Sequence, residues 1–427
     1  MTNPNQASLV PTGKGITRRE GLMLTVLGSA MLMAGCGGGG GSSPAGGGTI
    51  GAAGSSASGA ITGFGSIIVG GVRYDDSTAT SIKDDDDVTR TSSELKMGMV
   101  VKIKGGKKYK DGASIKASCD SIEVHSELVG PIDSFINTAT VKSIVVLGQT
   151  VEISATTFFD DGLTFASLVA GNVTSKVVEV YGFVDPVTKA LVATRVELKT
   201  NANKFKLQGA ISLLNTATKT FQIGSLVIAY TSAEMPASLI LSNGAVVRVR
   251  LAITPLTGTR TALKIRAPEN KHDDSDEAEV EGFITAYTSN AVFSVNGLVV
   301  NTSATTKFDY PVGTMLKVGD RVEVEGSIVN GILMAKEVEL EDDEDDAEDM
   351  YKFELHGLVT GLDTAAKTFM LRGVKVSYIE TATATATATV FKVGFALADL
   401  ANGVKVEVKG TLVDGNKVLA TQISRES

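Results

Sequence analysis

The sequence predicts an all-β protein, a tandem array of small five-stranded Greek-key barrels that follows a disordered tether. Three observations predict it. From about Gly59 the 427-residue chain repeats itself with a period of roughly 60 to 75 residues. Within each repeat, short runs alternate apolar and polar residues, the period of two that puts every second side chain of a strand on a buried face. The 46 glycines and a surplus of Thr and Val supply turns and β-branched strand positions. With 43% hydrophobic and 21% charged residues the composition is that of a folded, soluble protein. Length alone suggests about three ordinary domains, and the repeats replace these with five very small ones.

Residues 1–35 precede the array and read as an export signal rather than as structure. Lys14, Arg18 and Arg19 form a basic segment, and residues 22–34 form an uncharged apolar run. As a helix that run is about 20 Å long, short of the roughly 30 Å hydrocarbon core of a bilayer, so it is too short for a stable span. It ends in Leu32-Met33-Ala34-Gly35-Cys36, which resembles the lipobox of bacterial lipoproteins. The resemblance implies diacylglycerol transfer to the Cys36 thiol, cleavage before Cys36 and acylation of the new amino group. Each buried methylene contributes about 0.8 kcal/mol, so two or three chains hold a protein at a membrane where one does not. The Gly/Ser-rich residues 36–58 are the expected tether. Gly37, in place of Asp after the cysteine, points by analogy with enterobacterial sorting to the outer membrane. Thr17-Arg18-Arg19-Glu20-Gly21-Leu22 resembles the twin-arginine export motif, although Gly21 stands where that motif usually has Phe. The general secretory route stands beside it. The expected location is the cell envelope, with the lipid anchor as the membrane attachment.

The repeats occupy residues 59–127, 128–200, 204–268, 278–340 and 352–427, with acidic linkers at 269–277 and 341–351. The clearest copy is the fourth. It opens with Val280-Glu281-Gly282-Phe283-Ile284 and reaches Gly319-Asp320-Arg321-Val322-Glu323-Val324-Glu325-Gly326. It closes with Ile332-Leu333-Met334-Ala335-Lys336-Glu337-Val338. Asn296-Gly297 sits between two strand runs, where a type I′ hairpin needs positive φ. Each unit offers about five short strands and at most one helical turn, placed just ahead of the fourth strand. That is the arrangement of a small barrel of the OB type, with a pair of packed sheets as the alternative. The glycines that end the fourth strand, Gly182, Gly326 and Gly410, suit a corner where a strand bends sharply.

Gly63-Phe64-Gly65-Ser66-Ile67-Ile68-Val69-Gly70-Gly71-Val72-Arg73-Tyr74-Asp75, Val146-Leu147-Gly148-Gln149-Thr150-Val151 and Leu191-Val192-Ala193-Thr194-Arg195-Val196-Glu197 resemble the tandem modules of the Domain of Unknown Function 5666 family. The resemblance is most specific in repeats one and two and extends to the others through the pattern of strands. Repeat three departs from it, because its fourth strand reads Val246-Val247-Arg248-Val249-Arg250 instead of being acidic. The resemblance implies small β-barrel repeats in secreted and lipid-anchored bacterial proteins, and it implies no established activity.

Chemistry-bearing side chains are scarce. There is no Trp, and there are three His and two Cys. The chain has no GxSxG, HExxH, GxxxxGK[ST] or paired CxxC, and no GxGxxG between a strand and a helix. No cofactor, metal or catalytic residue is therefore expected. With Cys36 lipidated, Cys119 is the one remaining thiol and reads as a small strand residue rather than a nucleophile. His125, His272 and His356 would have to converge from three segments to hold a metal. Three acidic runs, 84–87, 273–277 and 341–349, lack the alternating ligands and glycine turn of a tight calcium loop and read as solvated stretches. Thr and Ala alternate from Thr381 to Thr389, which reads as an insertion in a third strand.

The net charge of −8 becomes about −10 once residues 1–35 are removed, which disfavours nucleic acid as a partner. The expected function is that of a lipid-anchored, non-catalytic binding or structural module with an envelope protein or glycan as its partner. The alternatives are a Ca²⁺-dependent adhesion or assembly protein and an envelope glycan-binding or glycan-hydrolysing protein. The last needs two carboxylates roughly 5 to 9.5 Å apart in a cleft.

Overall fold

The described residues form five closed barrels built from short antiparallel hairpins. The computed structural model describes residues 54–111, 114–160, 163–255, 257–268, 272–310, 314–340, 353–383, 387–413 and 417–426. Cys36, Arg18, Arg19, the signal segment and the acidic run 341–349 lie outside the described residues. Among the described residues no helix is long and apolar enough to cross a membrane.

The second barrel shows the plan. Its strands are Leu128–Asn137, Lys142–Val146, Gln149–Phe159, Val177–Val184 and Leu191–Leu198. The first pairs antiparallel with the second, the second with the third, the third runs parallel to the fifth, and the fifth pairs with the fourth. The fourth returns to the first, so the order 1-2-3-5-4 closes and no edge is left open. A short α-helix, Phe165–Val169, and a 3-10 turn, Val173–Ser175, precede the fourth strand. Thr164 caps the helix by accepting a hydrogen bond from the Ser167 amide at 3.1 Å. The third barrel repeats the order with Phe205–Asn215, Thr220–Ile223, Leu226–Ala229, Val246–Leu251 and Arg260–Arg266. Barrels 1, 4 and 5 follow it too, with fourth and fifth strands at Val100–Gly105 and Ser114–His125, Arg321–Val329 and Ile332–Leu340, and Lys405–Val413 and Lys417–Arg425.

The alternation expected from the sequence is present. In Lys405–Val413 every second residue is buried, with Val406 and Val408 inside. At the predicted hairpin, Asn296 and Gly297 have φ of 48° and 85°, as a type I′ turn requires. The same turn occurs at Leu147-Gly148, where Leu147 has φ of 50°. The turn joins Lys142–Val146 to Gln149–Phe159, and a leucine does not announce it.

Two boundaries differ from the sequence reading. Ser55–Ala60 begins inside the expected tether 36–58, yet it is the first strand of barrel 1. It pairs antiparallel with Val100–Gly105 and, on its other side, parallel with Glu277 to Val280 of barrel 4. Its side chains are small because it is wedged between two barrels. The first strand of barrel 4, Ser275–Ser289, likewise begins inside the expected linker 269–277, with Ser275 buried. Neither Ser55–Ala60 nor the stretch 275–277 carries the large apolar residues that mark a strand.

The described barrels all belong to one compact unit. Gly63 and Phe64 of barrel 1 run parallel to Glu354 and Leu355 of barrel 5, and Lys206 and Leu207 of barrel 3 pair with Val129 and Leu128 of barrel 2. Barrels 2 and 3 share one hydrophobic core, and barrels 1 and 5 share another, which Phe158, Tyr181 and Phe183 of barrel 2 join. Phe158 meets Phe353 edge-on, with ring centres 4.8 Å apart.

Candidate functional site

In barrels 3, 4 and 5 the outer faces of the first and fourth strands carry the polar half of the alternation, and cross-strand pairing fixes which residues face each other. Glu279 lies opposite Glu325 and Glu281 opposite Glu323 in barrel 4. Glu354 lies opposite Lys409 and His356 opposite Glu407 in barrel 5. In barrel 3 the same positions are Lys206 opposite Arg250 and Gln208 opposite Arg248. Like charges directly opposite each other are destabilising, so an all-acid or all-basic face needs a neighbour of opposite sign. These faces are where the barrels meet.

The acidic run 84–87 provides one such neighbour and corrects its reading as a solvated stretch. Asp84 closes its own turn by accepting from the Asp86 and Val88 amides at 3.0 Å, and it holds Arg90 at 2.9 Å. That turn drives Asp85, 7% exposed, against barrel 3. There Asp85 takes Lys206 Nζ at 2.8 Å and Arg250 Nη2 at 3.3 Å, and also contacts Arg248. Asp86 receives Arg250 Nε at 2.7 Å and Lys204 Nζ at 2.8 Å. Burial raises the Asp86 pKa, but the hydrogen bonds from Arg250 and Lys204 outweigh it and hold the group at about 2. Lys206 is pulled down to about 7 by burial and then by Arg250, against the attraction of Glu179, Glu127 and Asp86.

The run 273–277 is also engaged. Asp273 contacts Lys104, the Gly331 amide donates to Asp274 Oδ1 at 3.3 Å, and the Lys108 amide donates to Glu277 Oε2 at 2.7 Å. Two carboxylate clusters converge at these seams. Glu279, Glu323 and Glu325 bring ligand atoms within 4.8 Å of one another, and so do Glu354, His356 and Glu407. Either set has the donors for a divalent cation, but cations from barrel 1 already stand against them. Lys108 Nζ is 3.0 Å from Glu279 Oε2, and Arg73 Nη2 is 2.6 Å from Glu354 Oε1. Burial first, and then Glu325, push the Glu279 carboxyl up to about 7 despite Lys108. Burial acts the same way on Glu354, but His356, Glu407, Arg73 and Lys409 together hold it well below the usual carboxylate range. These acids are closer than a glycosidase pair and lie between barrels.

The remaining candidates separate. His272 is pulled down to about 4 by burial, then by Lys102 and His125. His356 lies with Glu354 and Glu407, so no three-histidine cluster forms among the described residues. Cys119 is fully buried, and burial followed by Asp76, Asp120 and Asp75 pushes its thiol up to about 12, which favours the protonated form. Sequence reasoning missed Asp85, Lys206, Arg248 and Arg250 as a group. The one sequence signal was the exchange of acids for arginines in the fourth strand of repeat three.

Comparisons with known proteins match the fold's units. The solved structure titled "drosophila Unr CSD456" aligns at 13% identity over 52% of this chain and 96% of its own, with a TM-score of 0.12, which has no bearing on the fold. No curated protein matches the chain. The family model described as a domain of unknown function (DUF5666) matches residues 58–118, 129–197, 281–339 and 356–424, that is, barrels 1, 2, 4 and 5. Barrel 3 shares their strand order but carries the reversed charge. With four tandem matches across it, the chain belongs to the DUF5666 family.

Proposed function

We propose that the protein is a lipid-anchored, non-catalytic structural or binding module of the cell envelope, built of OB-type barrels and held at the outer membrane through Cys36. The observation that carries this reading is the use of the polar strand faces. Carboxylates and cations that could serve chemistry are paired with one another between barrels, as Asp85 is with Lys206 and Glu279 with Lys108. Such pairing favours a stiff presenting body over a catalyst, whose acids need access to substrate. The lipobox-like Leu32-Met33-Ala34-Gly35-Cys36 supports the anchor.

Fatty-acid labelling and fractionation of cells producing the full chain or its Cys36→Ser variant test the anchor. Label and membrane association should vanish together in the variant; a labelled variant overturns it. Limited proteolysis tests the stiff body. Cleavage should be confined to sites outside the barrels, and early cutting into separate single barrels would argue against a scaffold.

A further inference from the structure

Barrel 3 is the electrostatic exception in a chain of net charge −8: residues 204–268 hold eight Lys and Arg against one acid, Glu234. Four of those cations form a square on its last two strands, with Arg248 opposite Arg266 and Arg250 opposite Lys264. Like charges so placed repel, and the anions nearby answer only part of the repulsion. Asp85 and Asp86 are shared among Lys204, Lys206, Arg248 and Arg250. Lys264 has Glu234, whose side chain is 71% exposed, at 2.8 Å. Among the described residues no ion pair holds Arg266. Nη1 of Arg250, a residue only 8% exposed, makes no hydrogen bond. Asp85, Asp86, Arg248, Arg250, Lys264 and Arg266 line a shallow pocket at this place.

We propose that this pocket binds a phosphate-type oxyanion, free or carried on a lipid headgroup. A phosphate group offers several acceptor oxygens and close to two negative charges, which suits a buried donor flanked by a guanidinium and an ammonium. Guanidinium groups present parallel donors that match such oxygens. The two aspartates hold the other edge of the Arg250 guanidinium, so its Nη1 donor is set before the ligand arrives. They also limit the positive surplus, which makes the site selective for a compact dianion over a long polyanion. The site goes beyond the scaffold reading and stands whether or not Cys36 is acylated.

Titration calorimetry of the full chain at low ionic strength tests it with two probes, inorganic phosphate and the monomeric short-chain lipid dihexanoyl phosphatidic acid. Saturable binding is expected, weakened about tenfold by Arg266→Ala, the loss of one charge-assisted hydrogen bond. Lys375→Ala, an equal charge change on exposed barrel 5, should leave it unchanged. Equal affinity for the probes identifies the phosphate alone as the recognised group, and tighter binding of the lipid places it on a headgroup; both support the site. Absence of heat with both probes overturns the proposal. So does binding that is the same in Arg266→Ala, shown by circular dichroism to be folded.

Discussion

Gly326 shows how a single position shapes a barrel. A methyl group there would lie 2.2 Å from the Met334 carbonyl oxygen, and at Gly105, Gly182 and Gly410 the corresponding contacts are 2.2, 2.1 and 2.4 Å. The ladder shifts register at each of these glycines, opposite Ala335, Cys119, Ala193 and Ala420. The glycines bend the fourth strand as the sequence suggests, but the strand runs on past Gly182, Gly326 and Gly410 instead of ending there, and Cys119 is the small residue that faces the bulge in barrel 1. Gly326→Ala should therefore cost about 3 kcal/mol, the upper end for overpacking, read from denaturant unfolding. Glu279 carries a pH dependence. Its folded pKa of about 7 lies above its usual 4.5, so the folded state holds a proton that the unfolded chain releases. The stability from that proton is full below pH 4.5 and is lost as pH rises through about 7. Glu279→Gln should flatten this fall, worth up to about 3 kcal/mol, in unfolding curves compared at pH 5 and pH 8. An unchanged slope would show that the proton is held elsewhere.

In barrels 1, 4 and 5 the third strand is an element in two pieces, and in barrel 2 a continuous third strand breaks its pairing with the fifth between Ile153 and Phe158. In barrel 4 it pairs with the fifth strand at Val300 and Asn301, breaks, and resumes at Lys307–Asp309. The break leaves a carbonyl of the fifth strand without its ladder partner, and a threonine hydroxyl supplies the missing donor. Thr157, Thr306 and Thr389 donate to the Ala193, Ala335 and Ala420 carbonyls at 2.7 Å, and Thr78 donates to the Cys119 carbonyl at 2.8 Å. In barrel 5 the Thr/Ala run that ends at Thr389 falls between the pieces Val374–Ser377 and Val390–Phe391. Because the carbonyl is buried, Thr306→Val should destabilise by about 1–3 kcal/mol while Thr306→Ser retains most of the stability; chemical denaturation of both variants decides it. The surplus of threonine was legible in the sequence. Its purpose was not, since nothing local marks one threonine as the donor to a strand some thirty residues onward.

At the scale of the whole molecule, the barrels are fused by charge as well as by core. Asp85 is the point where barrel 1 meets barrel 3, 121 residues along from Lys206. Asp85→Ala would strand Lys206, Arg248 and Arg250 in a buried seam, and the expected loss is about 3–5 kcal/mol, with the circular dichroism melting transition broadening as barrel 3 uncouples. The sequence by itself determined the strands, the hairpin at Asn296-Gly297, the corner glycines and the number of barrels, because alternation, turn chemistry and repeat length act over a few residues. Only the tertiary structure decided that Ser55–Ala60 is a strand, that Asp84, Asp85 and Asp86 face arginines, and which barrels touch. An acidic run reads the same whether it meets water or a guanidinium. The difference lies in a partner brought close by folding, and Coulomb attraction depends on that distance rather than on separation along the chain.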